Sequence, residues 1–392
     1  MAISKILFLS FFVSVMSESH AVGINFNKIQ KFINESCEVD DIDFKKKLWE
    51  SDLAETGNYS SELTEFNNCL SSSDKVYAEI YYQYKNNEIL IKESIQKILL
   101  TLINNKEVEE DLLNLITWLY PKIKNFKEAP LRDAWRDTYQ EQMLSIQQLM
   151  TPAFASKEEV RETFNYEGRL PQGYDNKLRL FLLCRRNRNY HCLMVGKDKD
   201  NRPIRVDESI VWSHPALAMS SRGLPSNVVN GQTPQGVHTI DSVMPEANRQ
   251  ISFGKFRRVI LNWVEGTFED RYEENFLPQI THKSNWWRRA SLSKKVGRKD
   301  LRIHGTGRIN NDPLSTHFPF RKSAGCITQR EGIYGDIDYI DQRLLLDKLI
   351  ESLGLEVNYA NEEQIKGVLY VIELDDKQEH VTMQEFKKII NE

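Results

Sequence analysis

The chain has 392 residues, 40% of them hydrophobic and 28% charged, with a formal net charge of −4. That composition belongs to a folded protein with room for two domains, since domains run to about 100–200 residues. So mild a charge argues against nucleic acid or a membrane surface as the partner.

From the start, "MAISKILFLSFFVSVMSESHAVG" carries Lys5, then an apolar run from Ile6 to Met16 broken by Ser10 and Ser14. Ser19-His20-Ala21 places small residues where a signal peptidase reads them. The run is too short to span about 30 Å of hydrocarbon. Residues 1–21 are therefore expected to be a cleaved signal peptide rather than an anchor. No later segment offers about 18 consecutive apolar residues. The expectation is a soluble periplasmic or secreted protein with no membrane anchor after cleavage.

Export changes how the 5 cysteines are read. In an oxidising compartment thiols pair, and an odd count leaves one over. Cys37 and Cys69 share the N-terminal region, and Cys184 and Cys192 flank a hairpin candidate. Cys326 is left alone. Its bland alternative is a buried thiol acting as a small hydrophobe.

Residues 22–160 read as a helical domain. Leu112, Ile116, Leu119, Ile123 and Phe126 fall on one helix face, as do Ile91, Ile95, Ile98 and Leu102. Trp135, Tyr139, Met143, Ile146 and Met150 make a third stripe. These are bundle-core patterns rather than a cofactor box. "MTPAFASKEE" and "YEGRLPQGYDNK" then read as linker.

Short β-type runs follow: "LRLFLLC", "HCLMVG", the alternating "VHTIDSV", "FRRVILNWVEG" and "DLRIHGTG". "DKDNRP" is a turn, without the glycine and distal glutamate of a calcium loop. "YIDQRLLLDKLIESLG" has helical spacing and stops at a glycine, "GVLYVIEL" is a last strand and "TMQEFKKIIN" a last helix. The expected fold class is α+β: an N-terminal helical domain, a mainly β domain with helical decorations over 170–375, and a C-terminal helix within 376–392.

His304 stands at or just past the end of the "DLRIHGTG" strand, and Cys326 follows Gly325 in "SAGCI". A free thiol with a pKa near ~8.5 is only a few per cent ionised at neutral pH, and a histidine in reach solves this by taking the proton. "NNDPLST" is good material for a loop that brings the two together. Gly325 would let backbone N–H groups approach a substrate and hold an oxyanion. Taken alone, a cysteine plus a histidine is a weak signal.

Three motifs in order, "TPQG", "IHGTG" and "SAGCI", resemble the catalytic domain of bacterial L,D-transpeptidases over roughly residues 175 to 375. The resemblance implies a mainly β catalytic core and thioester chemistry on peptidoglycan stem peptides, at the bond between diaminopimelate and D-alanine. It makes Cys326 the nucleophile and His304 the general base. It assigns the carbonyl of Gly305 to the imidazole and the N–H groups of Gly325 and Cys326 to the oxyanion hole. Ser323 and Thr306 of the motifs are assigned to substrate. Ala324 stands where relatives carry histidine, and Thr328 where they carry arginine or asparagine. Both departures mark a divergent member.

His317, in the loop before Cys326, is a lesser candidate for the base. His191, His214, His238 and His282 show no close ligand spacing, so neither metal nor cofactor is implied. "HKSNWWRRASLSKKVGRK" is basic with paired indoles. Read functionally it is a substrate lid, with Trp286 and Trp287 covering the stem and Arg288 meeting its carboxylates; read blandly it is a solvated surface. As a lid it would exclude water and favour transfer of the acyl group to an amine over hydrolysis. The rivals are an L,D-carboxypeptidase or amidase with the same site, and a non-catalytic peptidoglycan-binding protein. A binder needs neither Cys326 nor His304.

Overall fold

The computed structural model describes residues 71–85, 90, 93–119, 123, 129–246, 253–264 and 271–391. Residues 1–21, expected to be a signal peptide, Cys37 and Cys69, Ile91 and Phe126 lie outside them. The chain divides into two compact units, Met1–Asn86 and Asn87–Glu392. From the first unit helix α1, Ser72–Lys85, is described. The Ser71 hydroxyl accepts the Asp74 N–H (3.1 Å) and so caps it, while Val76, Tyr77 and Ile80 are buried.

The second unit opens with helices α2 (Glu93–Asn105), α3 (Glu110–Leu119) and α4 (Ala129–Met150), the last bent at Tyr139. The predicted stripes are their buried faces: Ile95 and Leu102 on α2, Leu112, Ile116 and Leu119 on α3, Trp135, Tyr139 and Met143 on α4. These helices fall in one unit with the β domain. Two hydrogen bonds show why. Asn114 of α3 donates its side-chain amide to the Val296 carbonyl, and Asn227 donates to the Asn114 carbonyl (3.2 Å).

The expected linker is partly a helix, α5, Lys157–Asn165. Ser156 accepts the Glu159 N–H (3.1 Å), and the Glu159 carboxylate accepts the Ser156 N–H (2.8 Å), a complete capping box. Val160 and Phe164 are buried, which fixes this helix on the β domain.

The β domain is built on an eight-stranded sheet. Its strands are β1 (Leu178–Cys184), β2 (Cys192–Lys197), β3 (His214–Ala216), β4 (Gly236–Val243), β5 (Val259–Trp263), β6 (Leu301–His304), β7 (Ile327–Thr328) and β10 (Lys366–Glu373). Their spatial order is β3-β2-β1-β10-β4-β5-β6-β7. β1 pairs with β10 and β6 with β7 in parallel; the other neighbours are antiparallel. β8 (Glu331–Tyr334) and β9 (Ile337–Ile340) form a separate hairpin.

Both faces of the sheet are covered, which is why β1 reads as an unbroken apolar run. Leu178, Leu180 and Leu182 point to one core, with Leu345, Leu346 and Leu349 of helix α7 (Asp341–Ser352). Phe181 and Leu183 point to the other, with Phe164 of α5 and Phe386 of helix α8 (Met383–Asn391). Between β5 and β6 runs a short helix α6, Arg289–Lys295. Cys184 and Cys192 are joined as a disulfide across the β1–β2 hairpin, and Cys326 is the free cysteine among the described residues. The described architecture is α+β, helices plus a mostly sheet domain.

Candidate functional site: a buried thiol and imidazole at the sheet edge

Register places the two candidate residues. On the parallel pair β6–β7, Ile303 lies opposite Ile327 and His304 opposite Thr328. Ile303 and Ile327 both enter the core packed by α7. Side chains alternate along a strand, so Arg302, His304, Cys326 and Thr328 share the opposite face. A strand spacing of about 4.8 Å and an offset of two residues put the Cα atoms of His304 and Cys326 roughly 8 Å apart. That is a separation their side chains can close.

The imidazole is fully enclosed, with His304 1% exposed. Its Nδ1 lies 2.5 Å from the Gly305 carbonyl oxygen. A carbonyl only accepts, so Nδ1 carries the hydrogen and Nε2 presents a lone pair. Nε2 is buried with no hydrogen-bond partner. The Phe253 ring meets the imidazole edge-on at 5.1 Å, and the Arg258 guanidinium lies over Phe253 at 4.8 Å. Burial, with Arg258 adding to it, pushes the His304 pKa down to about 4. The ring is therefore a neutral base at ordinary pH.

The thiol is buried as well: its Sγ lies 3.7 Å from the Asp300 carbonyl oxygen. Burial pushes the Cys326 thiol up, while the guanidinium groups of Arg298, Arg302 and Arg258 pull it back. Resting Cys326 and His304 are thus a neutral pair, without a hydrogen bond between them. Three guanidinium groups act on the sulfur and would favour a thiolate there.

The turn that delivers Cys326 depends on glycine. Gly325 has φ +95°, and a Cβ there would fall 1.7 Å from the Gly231 carbonyl oxygen and 2.6 Å from the Arg298 guanidinium. The Thr233 hydroxyl donates to the Gly325 carbonyl (2.8 Å). Thr233 and Gly325 are thereby linked, which ties "TPQG" to "SAGC". Gly325→Ala is expected to lose about 2–4 kcal/mol of stability through strain and displaced neighbours. Thermal unfolding measures this, and the rate of Cys326 alkylation in the surviving folded fraction should change with it. An unchanged melting temperature would contradict the tight turn.

The other sequence candidates divide. The Ser323 hydroxyl donates to the Cys326 carbonyl (2.8 Å), and the Thr306 hydroxyl to the Arg308 carbonyl (2.8 Å). Both hydroxyl hydrogens brace the loops of the site. Thr328 is fully buried and its hydroxyl faces the carbonyls of Arg321 (2.8 Å) and Leu217 (3.3 Å), a position with no space for an arginine. The His317 ring bonds Ser315 within its own loop. The lid reading of Trp286 and Trp287 is corrected: both are fully buried, in the core that also holds Phe181 and Tyr370. Arg288 is half-buried with its guanidinium 5.8 Å from the Trp287 ring centre. Among the described residues no group of three or more His, Cys, Asp or Glu side chains is placed to hold a metal.

Sequence reasoning missed Arg258, Arg298, Arg302 and Glu331. Alternation along "LRIH" was a usable signal for Arg302, because it shares a face with His304. Glu331 gave none. It is fully buried, accepts the Lys255 N–H, and sets its other carboxylate oxygen against Gly305. It thus supports the turn carrying Phe253 and packs against Gly305, where its second oxygen has no hydrogen-bond partner.

What fold and site define together is an α+β protein with a thiol–imidazole pair at one end of its sheet. No protein-family model matches the chain, and no curated protein matches it in sequence. Among solved structures it is similar to Bd1075 of Bdellovibrio bacteriovorus, at 14% identity and a TM-score of 0.23, over 57% of this chain and 59% of that one. The match therefore spans less than two thirds of that protein's length.

Proposed function

We propose that the protein is an exported peptidoglycan L,D-transpeptidase of the cell envelope, with an L,D-transpeptidase-like catalytic domain and peptidoglycan stem peptides as partners. The observation that carries the reading is the placement of Cys326 and His304 on one face of two paired parallel strands. Nε2 of His304 is left as an unpartnered base. The three motifs supply the substrate class.

In this reading His304 Nε2 takes the Cys326 proton as sulfur attacks the diaminopimelate carbonyl. N–H groups of Gly325 and Cys326 hold the oxyanion. The C–N bond breaks, the proton passes from His304 to the departing amine of D-alanine, and a thioester remains. An acceptor amine then adds to the thioester, gives a proton back through His304, and releases the thiol. Arg258 and Arg302, half-buried beside the sulfur, suit the carboxylates of a stem peptide.

Burial of Trp286 and Trp287 removes the cover assigned to the thioester, and this favours hydrolysis by the same site, an L,D-carboxypeptidase, as the second reading. Purified protein is incubated with tetrapeptide muropeptides, with and without excess D-methionine, and products are weighed by mass spectrometry. Loss of D-alanine with a cross-link or a D-methionine adduct is the expected result. Tripeptide alone would make it the hydrolase. No loss of D-alanine, together with no carbapenem adduct on Cys326, would overturn both readings and leave a binding protein.

A further inference from the structure

Arg298 is the largest anomaly near the thiol. It is 2% exposed, yet no carboxylate among the described residues lies within ion-pair distance of it. Its hydrogen bonds go to three backbone carbonyls: Gly231 (3.0 Å), Lys299 (3.2 Å) and Gly325 (3.5 Å). Its Nε is buried without a partner. A buried cation without an anion is costly. Such a charge persists where something else answers it.

The guanidinium is wedged between Gly231 and Gly325, one residue from the sulfur. We propose that Arg298 is the internal counter-cation of the Cys326 thiolate, a charge partner that waits unpaired in the resting thiol and is satisfied when the proton leaves for His304. Arg298 comes from the turn after α6, Arg302 from β6 and Arg258 from the approach to β5, so cations converge on the sulfur from three segments. Arg298 differs from the other two in burial. A substrate carboxylate can reach Arg302 and Arg258, whereas Arg298 is sealed behind the turn, where Cys326 is its strongest negative neighbour and Asp300 and Asp111, outside ion-pair distance, add weaker support.

The electrostatics agree in both directions. Among the charges that favour the thiolate, Arg298 has the largest effect. Among those that favour the charged guanidinium, Cys326 has the largest, against a burial that brings Arg298 down to about 10. The group therefore keeps its proton at neutral pH.

The inference rests on Cys326 acting as a nucleophile, but its test needs no substrate. The oxidised full-length protein is alkylated with iodoacetamide across pH, and modification of the Cys326 peptide is followed by mass spectrometry. Arg298→Met is expected to raise the alkylation midpoint by about 1–3 pH units, the usual effect of losing an opposite charge at this range. Arg298→Lys should restore most of it. A purely structural arginine would lower the melting temperature of Arg298→Met and leave the midpoint where it was, which would overturn the proposal. Should Arg298→Met fail to fold, Cys326→Asp and Cys326→Asn carry the test. Beside a waiting cation the carboxylate variant should melt above its neutral isostere at pH 8, and the reverse order would refute the idea. Failure to release D-alanine would discredit the transpeptidase reading and leave these midpoints as they are.

Discussion

Cys326→Ser and His304→Ala are each expected to lower D-alanine release by about 10³-fold or more. A serine hydroxyl is a far weaker acid than a thiol, and without Nε2 there is no acceptor for the proton. The two residues act as one unit, so the double variant should be scarcely slower than either single one. Cys326→Ser changes one buried atom and should keep the melting temperature. His304→Ala opens a cavity against Phe253, so His304→Gln serves as the filled control. His317→Ala should retain activity, because its ring is engaged with Ser315. If His317→Ala were dead while His304→Ala worked, the base would be His317. The pH profile follows from the same site. A base held down to about pKa 4 stays deprotonated and active above that value and is lost below it. The acid limb of kcat/KM for the wild type should therefore fall near pH 4, and a limb near the ordinary histidine value of ~6.5 would contradict the buried, neutral imidazole.

Much of the architecture was legible in the sequence because two periodicities carry it. "LRLFLLC" reads as a short β-type run and is strand β1, whose Leu180 and Phe181 enter opposite cores. The stripe on α3 was legible for the same reason. What it packs on was not, since an apolar face does not name its partner, and the amide of Asn114 that binds Val296 is a lone polar residue in a helix. The capping box at Ser156 and Glu159 is present in the sequence, but the prolines and charges around it give the stretch the composition of a linker. His304 and Cys326 could be picked out by motif. Their shared face rests on the β6–β7 register, which an irregular loop between the two strands sets and no periodicity announces. Arg298 and Glu331 were illegible, because burial of a single charged residue leaves no periodic trace.

The indoles of Trp286 and Trp287 were misread because basic neighbours implied a surface, whereas the backbone turns both rings inward. Trp286→Ala and Trp287→Ala are each expected to cost about 3–5 kcal/mol, the range for deleting a large buried aromatic. Trp287 also donates its Nε1 hydrogen to the Thr281 carbonyl (2.9 Å) and lies under the Arg271 guanidinium at 5.5 Å. Trp287→Phe keeps most of the volume and should cost only about 1–2 kcal/mol, chiefly for the lost hydrogen bond and the carbonyl left behind. The segment is pressed so closely on β4 that a Cβ at Gly236 would fall 2.7 Å from the Trp287 carbonyl oxygen. Gly236 is the last residue of "TPQG", so that motif holds Thr233 against the Gly325 turn at one end and the Trp287 peptide at the other. Thermal unfolding should show a drop of several degrees or more for either alanine variant, since in large domains each kcal/mol moves the midpoint by about 2–4 °C or less. In the fraction that stays folded, the ratio of transfer to hydrolysis should match the wild type. A lid would behave the other way round: melting would be unchanged and products would move toward tripeptide. That outcome would return both tryptophans to the substrate.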